Sequence, residues 1–174
     1  LMIKGLIRAG IVFQREEWIE AAQHAIDFIQ SNLWKNNRLL ATYKDGKSHL
    51  NAYLDDYAFL LDSLIEMLQA DFRQSDLDFA QALAEVMLNQ FEDKHLGGFF
   101  FTSHDHEKLI HRPKVGPDIA IPSGNGVAAI ALQRLGYLLG ENRYLQAAER
   151  TLNLFYSEML HHPSVYCSLL VALE

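Results

Sequence analysis

The chain has 174 residues, 49% of them hydrophobic and 21% charged, the balance of one globular domain rather than a disordered or fibrous segment. A net charge of −7 leaves no basic footprint for nucleic acid, so none is expected as a partner. No apolar run approaches a membrane span, and the single cysteine, Cys167, excludes an internal disulfide and suits a reducing cytoplasm.

The first segment, Met2 to Phe13, is apolar on most sides, with Gly5 and Gly10 permitting close helix contact. From Glu16 to Leu33 the apolar residues Trp18, Ile19, Ala22, Ile26 and Ile29 recur at helical spacing, predicting an amphipathic helix. Asn36-Asn37 breaks it. Arg38 to Tyr43 is short enough for a strand or extended arm, and Asp45-Gly46 follows as a turn. Leu54 to Ala70 is too apolar for a single stripe and predicts a helix covered on several sides. The next helix, capped by Ser75 or Asp76, runs to about Phe91.

Gly97 to Thr102 reads as a second extended segment. Residues 111–126 then concentrate three of the four prolines and three of the ten glycines, together with Arg112, Lys114, Asp118, Ser123 and Asn125. An apolar helix, Val127 to Leu139, ends at Gly140. An amphipathic one follows from about Asn142 to Met159, stopped by His161-His162-Pro163, and Ser164 is expected to cap a last helix containing a buried Cys167.

The pattern repeats. Leu6-Ile7-Arg8-Ala9-Gly10, a break, Trp18 and Ala21-Ala22 match Leu132-Gln133-Arg134-Leu135-Gly136, a break, Tyr144 and Ala147-Ala148, with residues 54–91 a looser middle copy. Repeated helical hairpins indicate a solenoid or closed toroid, with the more apolar helix of each pair inside. The fold class is therefore all-α, a set of hairpins forming part of an α/α toroid. The connections 34–53 and 93–123 fall on one rim. Both ends sit in mid-helix spacing, so residues 1–174 are expected to be a single domain cut from a longer protein.

Ser123 heads an inner helix and is expected to cap it. Free N–H groups there, with the positive helix end, could also hold an oxygen-rich ligand. It lacks the glycine framing of an esterase nucleophile, since Ile121 and Pro122 precede it. Asp55 and Asp56 open the middle inner helix. Neighbouring positions point in different directions, so one carboxylate caps while the other faces inward. Paired with Asp118 across a cavity, such a carboxylate is a candidate general acid or base, as in glycoside hydrolysis. Arg112 and Lys114 flank Pro113 and project to one side. They are candidates for binding a carboxylate or phosphate, or else pair with Asp105 or Glu107. His104, Asp105, His106 and His111 offer one His-x-His spacing without a second ligand cluster, so no metal and no cofactor are expected. The aromatics of Gly97 to Phe101 pack a loop, with stacking on a sugar ring as the alternative.

The ordered motifs Leu54-Asp55-Asp56-Tyr57-Ala58-Phe59-Leu60, Gly97-Gly98-Phe99-Phe100-Phe101-Thr102, Arg112-Pro113-Lys114 and Ile121-Pro122-Ser123-Gly124-Asn125 resemble the C-terminal region of the large thioredoxin-domain-containing proteins related to spermatogenesis-associated protein 20. The resemblance spans nearly the whole chain. It implies the last hairpins of an (α/α)6 toroid, similar to six-hairpin glycosidases and N-acylglucosamine 2-epimerases, with a thioredoxin-like domain elsewhere in the full-length protein. The family positions map onto Asp55, Asp56, Tyr57, Arg112, Lys114, Asp118, Pro122, Ser123 and Asn125. Ile119 and Gly126 stand where the family has a glycine and a serine.

Two functions are open from sequence. One is a carbohydrate-binding or carbohydrate-active domain, hydrolase or epimerase, with Asp55, Asp56 and Asp118 as acid/base groups and Tyr57, Arg112, Lys114, Ser123 and Asn125 as binders of a small sugar-like ligand. The other is a non-catalytic scaffold that accompanies the thioredoxin-like domain. A partial toroid also exposes apolar inner faces, which predicts self-association.

Overall fold

The computed structural model describes residues 1–106 and 110–174. Three hairpins follow one another: α1 (Met2–Phe13) with α2 (Glu16–Asn32), α3 (Leu54–Ala70) with α4 (Gln74–Val86), and α5 (Gly124–Leu139) with α6 (Asn142–His161). A short α7 (Cys167–Leu173) closes the chain. Helix α1 packs on α3, α3 on α5 and α5 on α7, so these four form the inner layer. Helices α2, α4 and α6 each lie outside their own partner. No helix among the described residues is long and apolar enough to cross a membrane.

Burial follows position in the array. Helix α3, flanked on both sides, buries residues on every face, including Leu54, Tyr57, Leu61, Leu64 and Met67. Within the inner layer, helix α1 has a neighbour on one side only among the described residues. It buries Ile7 and Gly10 and leaves Met2, Ile11, Val12 and Phe13 exposed.

The repeat is visible atom by atom. Gly10 lies against Ile19 and the Arg15 carbonyl, and Gly136 against Leu145 and the Glu141 carbonyl, the same positions in each copy. A side chain at either glycine would force the hairpin apart. A Cβ at Gly5 would meet no atom within 4 Å among the described residues, so the close approach in α1 lies at Gly10. Both helices end in a left-handed residue, Gln14 in the first copy and Gly140 in the second.

The first rim connection is a small antiparallel sheet in the order β1 (Trp34–Lys35), β2 (Arg38–Lys44), β3 (Lys47–Asn51). Asn36 and Asn37 are both left-handed, as are Asp45 and Gly46, which gives two tight hairpin turns. The segment Gly97 to Thr102 contributes only an isolated bridge, Phe99 to Glu92. The two connections meet on one rim: the Leu54 N–H donates to the Phe101 carbonyl, and Arg38 forms a two-pronged pair with Asp105.

Three local expectations are corrected. Neither Ser75 nor Asp76 caps α4, which starts at Gln74. Asp76 is instead fully buried under Arg73, which also reaches Asp27 and so ties α4 to α2. Ser164 sits inside a 3₁₀ turn, Pro163–Val165, and caps nothing. Cys167, at the start of α7, is exposed because the apolar run turns Leu169 and Ala172 inward instead.

Candidate functional site

The rim motifs assemble around the start of α5. Its first residues, Ser123 to Gly126, are all buried, and the Ser123 hydroxyl accepts from the Gly126 N–H at 3.1 Å. The serine is a cap. The two glycines make room for neighbouring elements. A Cβ at residue 124 would collide with Asp55 Oδ1, and one at residue 126 with the Ser168 hydroxyl on α7.

Asp55 and Asp56 divide their roles as their directions require. Asp56 accepts from the Tyr53 N–H at 2.9 Å and closes the start of α3. Asp55 is half-buried against Gly124 and accepts no hydrogen bond among the described residues. Burial, reinforced by the adjacent Asp56, raises its pKa above the ordinary aspartate value.

Asp118 is held on three sides. Its Oδ1 accepts from the Ser123 N–H at 2.8 Å and the Ser168 hydroxyl at 2.5 Å, and its Oδ2 accepts from the Ser168 N–H at 2.8 Å. It thus bridges the starts of α5 and α7. Asn125 is equally engaged. Its amide pairs with both the N–H (2.7 Å) and the carbonyl (3.0 Å) of Phe99 and donates to the Val115 carbonyl (2.9 Å). The Tyr57 hydroxyl, fully buried, accepts from the Leu39 N–H at 2.8 Å.

Arg112 and Lys114 do project to one side, since both sit over the Phe100 ring, at 4.2 and 4.9 Å. Their partners differ from those expected. Arg112 donates to the Thr102 carbonyl at 2.6 Å, while Lys114 binds Asp93 at 2.7 Å and the Gly97 carbonyl at 2.8 Å. Asp105 is taken by Arg38, and Glu107 lies outside the described residues. Lys114, with the N–H groups of Leu96 and His95, holds the Asp93 carboxyl down at about 2.

The four inner helices border an open cavity of about 370 Å³ lined by Leu1, by Lys4 of α1, Asp62 of α3, Val127 and Ile130 of α5, and Ser168 and Val171 of α7. Asp118 lies at its edge. Asp56 opens elsewhere, into a cavity of about 280 Å³ between α1, α2, α3 and β2. The candidate carboxylates therefore do not share one cavity. Asp118 lines the first, Asp56 the second and Asp55 neither, although Asp55 and Asp118 each touch the start of α5, at Gly124 and Ser123.

Sequence reasoning passed over the charged centre of the inner layer. Asp62 and Glu66, both about 5% exposed, accept from Lys4 and Arg8 of α1 and Arg134 of α5. The signal was present: two acids four apart in an otherwise apolar helix, and an arginine at the same place in both outer copies.

No protein-family model matches the chain. Spermatogenesis-associated protein 20 of Rattus norvegicus is 28% identical over 174 residues, which cover 94% of this chain and 22% of the rat protein. The Homo sapiens protein of the same name is 27% identical over the same shares. The chain thus spans about a fifth of the length of these curated relatives. Among solved structures, cellobiose 2-epimerase from Spirochaeta thermophila matches with a TM-score of 0.68 at 20% identity, over 88% of this chain and 41% of that one. The GH76 alpha-mannanase of Bacteroides thetaiotaomicron matches at 0.71 and 15%, over 90% and 42%. The unsaturated glucuronyl hydrolase of Bacillus sp. GL1 matches at 0.66 and 14%, over 88% and 44%. The chain is accordingly a homologue of part of spermatogenesis-associated protein 20, folded like a portion of the α/α toroids of epimerases and glycosidases.

Proposed function

We propose that this chain forms part of a carbohydrate-active α/α toroid in which a small sugar-like ligand enters the inner cavity beside Asp118 and is met by Asp55 from the adjoining start of α5. The observation that carries the reading is the 370 Å³ cavity between the four inner helices, lined by Lys4, Asp62 and Ser168 with Asp118 at its edge. Asp55, with its raised proton affinity and its carboxylate free of hydrogen bonds among the described residues, is the proton-transfer group. Asp118 positions Ser123 and Ser168. The solved toroids supporting this reading are an epimerase and glycoside-cleaving enzymes, and this chain covers 41–44% of each. We infer from the same coverage that further hairpins of a longer chain complete the ring beside the exposed face of α1. In their absence the chain self-associates, and a monodisperse monomer in light scattering would contradict this.

The test is turnover of neutral and uronic-acid oligosaccharides by the full-length protein and its Asp55→Asn variant. Loss of turnover with retained ligand binding is expected. Equal turnover removes Asp55 from the chemistry. The hydrogen bonds of Asp118, Asn125 and Lys114 favour a second reading, a non-catalytic scaffold beside a thioredoxin-like domain. On that reading Asp55→Asn lowers the melting temperature and leaves every activity intact.

A further inference from the structure

A second cleft, of about 520 Å³, lies away from the inner cavity, between the β1–β2 turn and the far end of α4. Trp34, Ala82 and Val86 supply its apolar lining, and Asn36, Asn37, Asn89 and Gln90 its polar lining, with Arg38 and Glu85 as its charged residues. Three observations make this more than a gap between elements.

The first is the backbone. Helix α4 passes into a π-helical turn, Met87–Phe91, which contains both Asn89 and Gln90. Such turns rotate the residues within them relative to the preceding helix and recur at functional sites. Asn36 and Asn37 form the opposing left-handed turn, a geometry that asparagine tolerates, so their presence there has a backbone reason as well. That reason does not extend to Asn89 and Gln90.

The second is unspent hydrogen-bonding capacity. Among the described residues, the buried Oε1 of Gln90 has no donor and the buried Nε of Arg38 has no acceptor. A buried polar atom without a partner is costly unless something arrives to satisfy it. Both residues line the cleft, although these two atoms are themselves sealed from solvent beneath it.

The third is charge. The two terminal nitrogens of Arg38 are held by Asp105 at 2.8 Å each, and Glu85 is held by Arg143 at 2.7 Å and the Tyr144 hydroxyl at 2.6 Å. The cleft therefore presents amides and an indole, with both of its charges already neutralised. Carboxamides both donate and accept, which matches a row of hydroxyls. The indole of Trp34, packed edge to face with Phe79 at 5.3 Å, adds an aromatic wall for the C–H side of a sugar ring.

We propose that this cleft is a second, non-catalytic site for a neutral saccharide, read by the carboxamides of Gln90 and Asn89 against Trp34. It is separate from the inner cavity and does not depend on the function proposed there.

The chain contains two tryptophans, and Trp18, on α2, lines no part of this cleft, so the indole N–H resonances of the ¹⁵N-labelled chain carry an internal reference. Titration with maltose or cellobiose is expected to shift the Trp34 resonance saturably and leave that of Trp18 in place. Gln90→Met and Asn89→Ala should each weaken binding at least tenfold with unchanged melting, while Asp55→Asn should leave it unaltered. The proposal is overturned by the absence of a saturable shift up to the solubility limit, by equal binding of glucose 6-phosphate, or by full binding in both amide variants. Loss of binding in Asp55→Asn alone would instead assign the signal to the inner cavity and also overturn it.

Discussion

Arg8 and Arg134, which occupy the same place in the two outer copies of the repeat, donate to the same oxygen of Glu66, each at 2.8 Å. The middle copy thus supplies the acid and its neighbours supply the bases. The bond fixes the axial register of three inner helices at a point where apolar packing alone would allow sliding.

Glu66→Gln removes the charge and keeps the shape. It is expected to lower stability by roughly 2 kcal/mol, less than the ~3–5 for breaking a fully buried pair, since the Arg8 side chain is 60% exposed. Burial pushes the Glu66 pKa up, but the hydrogen bonds from Arg8 and Arg134 outweigh it and the net shift is downward. The stabilisation is therefore present above the ordinary glutamate pKa and lost as pH falls through the lowered one. Thermal melts of both proteins across acid pH test this. The wild-type advantage should vanish at the acid end.

For Asp55 the sign is opposite. Its pKa is raised in the fold, so its contribution is most favourable below the ordinary aspartate pKa and is lost as pH rises through the raised value. Asp55→Asn should melt at or above the wild-type temperature at neutral pH, with the gap closing on acidification. A clearly lower melting temperature at neutral pH would mean that the carboxylate is structural.

Asp118→Asn weakens the acceptor for Ser123 and Ser168 together. A loss of roughly 2 kcal/mol is expected, in line with a helix cap and a charged hydrogen bond removed at once. Hydrogen exchange should localise it, with faster exchange in α7 and little change in α3. Uniform acceleration would show that Asp118 does not specifically anchor α7.

The two copies also differ where one can instruct the other. Gln14 adopts φ 53° where the later copy has Gly140 at φ 69°. Gln14→Gly should stabilise the chain by up to ~1 kcal/mol, the cost of holding a side chain in the left-handed region. A melting temperature unchanged or lowered would argue that the Gln14 side chain contributes more than its strain.

The helices were legible because their signal is local. Leu54 to Ala70 was bounded correctly from its apolar density, and Gly140 marked the end of α5 as expected. The sheet was only half legible. Arg38 to Lys44 carries strand residues, but Lys47–Asn51 is polar and β1 has two residues, so neither announces itself without its partner. The site was the least legible part. Asp118 looks available in sequence because its partner Ser168 lies 50 residues away, and Asp76 looks like a cap because Arg73 and Asp27 meet only in the fold. Residue type suggested chemistry, and long-range hydrogen bonds decided which side chains were already committed.

The amide of Asn125, clamped to Phe99 and Val115, has a consequence for the chemical lifetime of the chain. Asn-Gly is the linkage that most readily cyclises to a succinimide, by attack of the glycine nitrogen on the asparagine side-chain carbon with loss of ammonia. Here the Gly126 nitrogen is turned to the Ser123 hydroxyl at 3.1 Å, and all of the Asn125 amide is occupied. The reacting atoms are kept from each other as long as α5 stays docked on the rim. Deamidation at residue 125 should therefore be absent from folded protein aged at mild alkaline pH and rapid in urea, as peptide mapping would register. The most perishable bond in the sequence becomes a record of how often this helix start has opened.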